Sequence, residues 1–180
     1  PGYAAGTEMD HSIQMSRVIH NDLTVANCTS WSYWTAMDVP HYGHMNRFLL
    51  LSLTPAGGEW GDIWAGTGTY YPTSTLWVLG NYSRFIRPGY RRIDLDMYDS
   101  RSFFASAYIS PDSKRIVAVY TNLSRKPVVL NETREGWPGE PTAITTYTTS
   151  ASKSLKNMTV APGTPVTLDA QAVTTVVYDF

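Results

Sequence analysis

Met9, Ile13, Met15, Ser16, Val18 and Ile19 recur at close to helical spacing, and Thr7 followed three residues later by Asp10 resembles a capping box. The pattern predicts a helix from Glu8 to Asn21. Leu23 to Ala36 runs without Pro or Gly and is rich in β-branched and aromatic residues, so it is expected to contain a strand ending near Trp34 to Ala36. From Met37 to Pro72 no period is sustained, and Pro40, Gly43, Pro55, Gly57, Gly58, Gly61, Gly66 and Gly68 interrupt the chain. A connection this long is usually functional. Thr73 or Ser74 can cap a second helix with an apolar side of Leu76, Trp77, Leu79, Tyr82, Phe85 and Ile86, stopped by Pro88-Gly89.

Beyond Gly89 the period changes. Short strands are expected around Arg91 to Leu95, Phe103 to Ile109, Ile116 to Thr121, Pro127 to Leu130, Ala143 to Thr149, Val166 to Leu168 and Val173 to Phe180. Turn signals such as Ser110-Pro111-Asp112 and Asn122-Leu123-Ser124 separate them. This regular spacing argues for an antiparallel β-sandwich. The chain therefore divides into two parts, 1–89 and 90–180. In the first, one helix-strand-helix segment cannot bury its own strand, which needs neighbours on both sides and helices over its face. That part reads as the end of a larger barrel or sheet.

Composition supports the division. Of the six Trp residues, Trp31, Trp34, Trp60, Trp64 and Trp77 precede Pro88, while the last 41 residues hold ten Thr and no Trp. With 180 residues, 43% hydrophobic and 16% charged, the chain can bury a core and is no disordered tail. A formal charge of −1 provides no basic field for nucleic acid or an anionic membrane. The strongest apolar run, Phe48 to Leu51 with Leu53, is far short of the roughly twenty residues a membrane span needs. The chain starts Pro1-Gly2-Tyr3, so it reads as a processed or truncated product.

Cys28, the one cysteine, reads as a small buried hydrophobe. Five of the seven Asn residues stand in N-x-[ST] sequons, namely Asn27, Asn81, Asn122, Asn131 and Asn157. With 37 Ser plus Thr residues, chance would place about one or two there. The excess points to a secreted glycoprotein, with Asn122, Asn131 and Asn157 the better acceptors and Asn81, inside a helical pattern, the poorer.

Candidate chemistry is sparse. His41-Tyr42-Gly43-His44 places two histidines three apart but has no convincing third ligand, so no metal and no cofactor is expected. His20 and Asp22 flank a helix-to-strand turn and suit structural roles. Glu8 falls in a helix's first turn, where negative charge is favourable. Glu59, in Gly57-Gly58-Glu59-Trp60, lies in the long connection and is harder to dismiss. Aromatic density is the outstanding feature: Trp31, Tyr33, Trp34, Tyr42, Trp60, Trp64, Tyr70 and Tyr71. Such rings stack on the C–H faces of sugars, and they also fill cores.

His20-Asn21-Asp22-Leu23 with Val25-Ala26-Asn27, the run Ser30-Trp31-Ser32-Tyr33-Trp34-Thr35-Ala36, and the run Leu76-Trp77-Val78-Leu79-Gly80-Asn81-Tyr82-Ser83-Arg84-Phe85-Ile86-Arg87-Pro88-Gly89-Tyr90 resemble glycoside hydrolase family 30. Within it, the fungal and bacterial endo-β-1,6-galactanases are most similar. The resemblance runs from about Thr7 to Phe180. It implies a (β/α)8 barrel joined to a side β-sandwich. Residues 1–89 would then supply helix seven, strand eight, the long loop and helix eight, with 90–180 as the side domain.

Active sites of such barrels lie at the C-terminal ends of the strands. By resemblance, Trp34 lines the sugar subsite at the cleavage point, Trp31 packs beneath it, and the Met37 to Pro72 loop forms one wall of the cleft; Tyr33, Trp60, Trp64 and Glu59 are the further substrate-binding candidates that the residues themselves offer. The family retains configuration, using two Glu residues about 5 Å apart. Both are expected upstream of Pro1, so none is assigned here. The expected partners are a polysaccharide or oligosaccharide substrate and the N-terminal remainder of the enzyme. A β-1,6-glucanase, a xylan-cleaving member, a glucosylceramidase-like member, a non-catalytic carbohydrate-binding or structural module, and a nicked two-chain enzyme remain open.

Overall fold

The computed structural model describes residues 6–40, 48–58, 61–62, 64, 66–97, 100–161 and 163–180. The chain forms two units, Pro1–Val78 and Leu79–Phe180, and the division falls inside the second helix.

Helix α1 spans Glu8–Thr24. Thr7 caps it: its Oγ1 accepts from Asp10 N at 3.2 Å, and Asp10 Oδ2 accepts from Thr7 N at 2.7 Å. The buried side is Met9, Ser12, Ile13, Met15, Ser16, Ile19 and His20, an i, i+3, i+4 pattern with two small hydroxyl residues inside it. Ser12 is accommodated by donating to Glu8 O at 2.9 Å and by a 3.1 Å bond with Thr75 Oγ1. The helix runs three residues past the expected Asn21. Thr24 Oγ1 donates to His20 O at 2.7 Å, Val25 N to Asn21 O at 2.9 Å and Cys28 N to Asp22 O at 2.8 Å, so these carbonyls of the last turns are satisfied without Gly or Pro.

No strand occupies Leu23 to Ala36. Leu23 and Thr24 finish α1, and the first strand, β1, is only Met37–Asp38. β1 runs parallel to β2 (Leu51–Pro55), which pairs antiparallel with β3 (Gly68–Pro72). A ladder needs a hydrogen-bonded neighbour. Pairing with the β2 side begins only where Leu50 N and Leu51 N donate to Thr35 O and Ala36 O, so the β-rich stretch upstream is irregular chain without a ladder. The connection expected to lack regular structure thus contains a small sheet. Gly68 is required in it: at φ +153° a Cβ would stand 2.4 Å from Thr54 O. Cys28 is exposed rather than buried, because it follows the helix end in a turn where its N–H reaches back to Asp22 O.

Helix α2 is Ser74–Ser83, three residues shorter than its apolar pattern. Its capping is also different from expectation. Thr73 turns its hydroxyl away, donating to Leu49 O, and the helix start is held by Glu8, whose Oε1 accepts from Ser74 N at 2.5 Å and Ser74 Oγ at 2.8 Å.

The second unit is a six-stranded antiparallel sheet in the order β4-β5-β6-β11-β8-β9, with a two-stranded ribbon of β7 and β10. The strands are β4 (Arg91–Ile93), β5 (Phe103–Ile109), β6 (Arg115–Asn122), β7 (Val128–Val129), β8 (Ala143–Ser150), β9 (Lys153–Thr159), β10 (Thr167–Leu168) and β11 (Ala172–Asp179). One face carries Ala105, Ala107, Ile116, Ala118, Tyr120, Val176 and Tyr178, covered by Val160, Val166 and Leu168. The opposite face is closed too. Thr175 Oγ1 donates to Asn81 O, Asn81 Nδ2 donates to Tyr147 O at 2.9 Å, and a Cβ on Gly80 would meet Leu155 Cδ1 at 2.7 Å. Both faces of β5, β6 and β11 are consequently buried.

Candidate functional site

The aromatic group of the first unit is assembled on the segment between α1 and β1. Asp22, in the last turn of α1, accepts a 2.9 Å hydrogen bond from the Trp31 indole Nε1. Trp31 stacks on Tyr33 with ring centroids 5.8 Å apart and planes 19° from parallel. The Tyr33 hydroxyl donates to Phe48 O at 3.1 Å, and burial pushes its pKa up, keeping it a donor at neutral pH. Two rings are therefore pinned at their polar ends and against each other. Trp34 follows directly, and the Trp34–Thr35 peptide bond is cis.

Trp34 itself is 88% exposed. An aromatic side chain of this kind buries about 150–250 Å² when covered. At about 25 cal/mol per Å² that is worth roughly 4–6 kcal/mol for complete burial, and about half for one face. A pinned segment carrying an uncovered indole is suited to a planar apolar ligand surface such as a sugar ring.

Trp64 is equally exposed, in the connection between β2 and β3, where its backbone N–H donates to Asp62 Oδ1 at 2.8 Å. Tyr70, on β3 opposite Leu53, is 72% exposed. Strand alternation gives Met37, Leu51, Leu53 and Tyr70 one face of the small sheet. Tyr71 belongs to the other face, where Glu8 lies close enough to help raise its pKa after the larger effect of desolvation. Glu8 is thus engaged by Ser74 and Tyr71, a structural assignment its sequence position already favoured. Glu59 and Trp60 lie outside the described residues, as do His41 and His44.

The sequons separate sharply. Asn81 is fully buried and donates to Tyr147 O and Thr175 Oγ1. Asn122 is 1% exposed; its Nδ2 donates to Lys126 O and Asp169 O while its Oδ1 accepts from Ser124. Both amides hold turns and faces of the sheet together, so in the folded chain neither is presented as an acceptor. Their sequon spacing concealed this because Asn81 and Asn122 use the same amide chemistry for packing. Asn131 and Asn157 are exposed, and Asn27 is exposed at φ +54°.

Residues 1–46, which include the pinned aromatic segment, match the family model described as O-Glycosyl hydrolase family 30. Over nearly the whole chain the fold is similar to that of solved structures. A conserved exported protein from Bacteroides fragilis is similar at 28% identity and TM-score 0.77, over 94% of this chain and 34% of that one. A family 30 endoxylanase from Clostridium papyrosolvens is similar at 23% identity and TM-score 0.65, over 96% and 39%. The catalytic domain of family 30 xylanase C from Talaromyces cellulolyticus is similar at 20% identity and TM-score 0.71, over 98% and 37%.

The chain therefore spans between a third and two fifths of the length of these structures. Its helix-strand unit followed by an antiparallel sheet corresponds to a portion of the family 30 architecture, a barrel with a β-sandwich side domain. No helix among the described residues is long and apolar enough to cross a membrane.

Proposed function

We propose that this chain is the C-terminal part of a secreted, retaining family 30 glycoside hydrolase that cleaves β-1,6-galactan or a related glycan. In this reading residues 1–89 are the last helix-strand-loop-helix stretch of the barrel, and 90–180 are the side domain. Trp34 forms the wall of the subsite at the cleavage point, stacking on one face of a sugar ring. Trp31 and Tyr33 hold it in place through Asp22 and Phe48 O, and Trp64 extends the aromatic surface. The same reading takes Trp60 and Glu59 as further substrate-binding residues. The two catalytic carboxylates come from the remainder of the enzyme, one protonating the leaving oxygen and the other attacking the anomeric carbon. This chain contributes orientation and exclusion of water. Secretion follows from the sequon excess, with Asn131 and Asn157 as the acceptors.

The observation that carries the reading is an exposed indole on a doubly pinned segment inside the family-matched sequence. The experiment is an end-product assay of the full-length secreted enzyme on β-1,6-galactan, β-1,6-glucan, glucuronoxylan and glucosylceramide, with the anomer of the first product read by NMR. Galactan cleavage with retention is the expected result. Cleavage of xylan or glucan alone would replace the substrate. Binding without turnover on every glycan would leave a carbohydrate-binding module instead of an enzyme.

A further inference from the structure

Asn27 differs from the other sequon residues in its surroundings. Asn81 and Asn122 are buried in the second unit with their amides engaged in internal hydrogen bonds, and Asn131 and Asn157 are exposed there. Asn27 lies in the first unit, in the turn that leaves α1. We infer that Asn27 is a third N-glycan acceptor, and that its glycan covers the turn between α1 and the aromatic segment. The inference rests on the reading of the enzyme as secreted, and it uses neither the substrate nor any residue of the aromatic wall.

The local backbone presents this side chain. Val25 N and Ala26 N both donate to Asn21 O, at 2.9 and 3.0 Å, and Cys28 N donates to Asp22 O at 2.8 Å. These bonds fold the backbone back onto the last turn of α1 and satisfy three of its donors, while every side chain from Val25 to Ser30 is left exposed. Asn27 stands at φ +54°, in the left-handed region, where Asn is one of the few residues with a Cβ that is readily tolerated. Backbone sterics therefore favour Asn at this position. Thr29, itself exposed, completes the acceptor sequence two residues on.

An N-glycan is bulky and hydrated, so a folded chain carries it only on an Asn whose side chain reaches solvent. On Asn81 it would take the amide away from Tyr147 O and Thr175 Oγ1 inside a packed face. On Asn27 it extends from the middle of an exposed stretch. Its neighbours there are Val25, an apolar side chain that is 76% exposed, and the exposed Cys28 thiol. The glycan gives the first a hydrated cover and screens the second from large reagents.

The test uses the full-length enzyme secreted by a eukaryotic host. Trypsin cuts after Arg17 and Arg47 and nowhere between, which gives one peptide with Asn27 as its only sequon. After denaturation, glycan release by a peptide N-glycosidase in heavy-oxygen water turns each glycosylated Asn into a heavy-labelled Asp that mass spectrometry reads. Asn27→Gln would strain the left-handed backbone, so the variants are placed at exposed Thr29: Thr29→Ala destroys the sequon and Thr29→Ser keeps it. The expected result is a labelled Asn27 in the parent and in Thr29→Ser, and an unlabelled one in Thr29→Ala, whose intact mass is lower by one glycan at an unchanged thermal midpoint. Before glycan release, a maleimide reagent should modify Cys28 in the folded parent at least threefold more slowly than in Thr29→Ala, read on the same peptide. An unlabelled Asn27 beside labelled Asn131 and Asn157 would overturn the inference and leave the reading as a secreted enzyme standing. No label at any sequon would overturn both. A Cys28 that reacts equally in the parent and in Thr29→Ala would overturn the placement of the glycan over the turn.

Discussion

The two units solve the problem of apolar surface in opposite ways. In the second, β5, β6 and β11 are covered on both faces, and the larger side chains Phe104, Leu168, Ile116 and Tyr178 are essentially inaccessible. In the first, a three-stranded sheet leaves Trp34, Met37, Trp64 and Tyr70 exposed beside a well-packed helix. A region that buries its aromatics uses them for stability, whereas a region that displays them holds them for something that arrives from outside. Substitutions of the exposed aromatics in the first unit should therefore act on binding, and those of the buried side chains in the second unit on stability.

The largest effect is expected in the second unit's core. Phe104→Ala should cost that unit about 3–5 kcal/mol in urea unfolding, the usual range for a buried phenylalanine. Alkali should act on the same unit next. Tyr120 and Tyr178 have folded-state pKa values raised above the ordinary 10.0, so the stability they contribute is complete below pH 10. Above that, the unfolded chain loses protons that the folded chain keeps, and unfolding free energy should fall by about 1.4 kcal/mol per pH unit for each of the two phenols. Tyr178→Phe should roughly halve the slope, and an unchanged slope would remove Tyr178 from this role.

In the first unit, Glu8→Ala should cost about 1–2 kcal/mol by leaving the start of α2 without its acceptor, while Glu8→Asp should recover little because the shorter side chain cannot reach Ser74. Trp34→Ala should change stability by no more than about 0.5 kcal/mol. Smallest in energy is the sequon set: intact mass should fall by one glycan for Asn131→Gln and for Asn157→Gln. Asn81→Gln should instead destabilise the sheet without changing glycan mass.

How much of this was legible in the sequence follows the same contrast. All seven expected strands of the second unit are present, because turn residues and β-branched runs alternate there and the partners lie in the same chain. β9 escaped notice: Lys153, Ser154, Lys156 and Asn157 give an edge strand a polar composition that reads as a loop. In the first unit, Leu23 to Ala36 has the composition of a strand but lacks ladder pairing on the β2 side until Thr35, and composition cannot report pairing. The capping of α2 by Glu8, 66 residues away in sequence, has no local signature at all. The aromatic site was visible as residue types, while the pinning of Trp31 by Asp22 and Tyr33 by Phe48 O required coordinates.

The central claim is that the displayed indole of the first unit is a sugar-binding wall, and kcat/KM on β-1,6-galactan for the full-length enzyme and its Trp34→Ala variant, measured beside their unfolding midpoints, tests it most directly. The account expects a drop of at least tenfold, about 1.4 kcal/mol of transition-state binding, at an unchanged midpoint. A variant within twofold of the parent, or one whose loss of activity tracks a lowered midpoint, would contradict it.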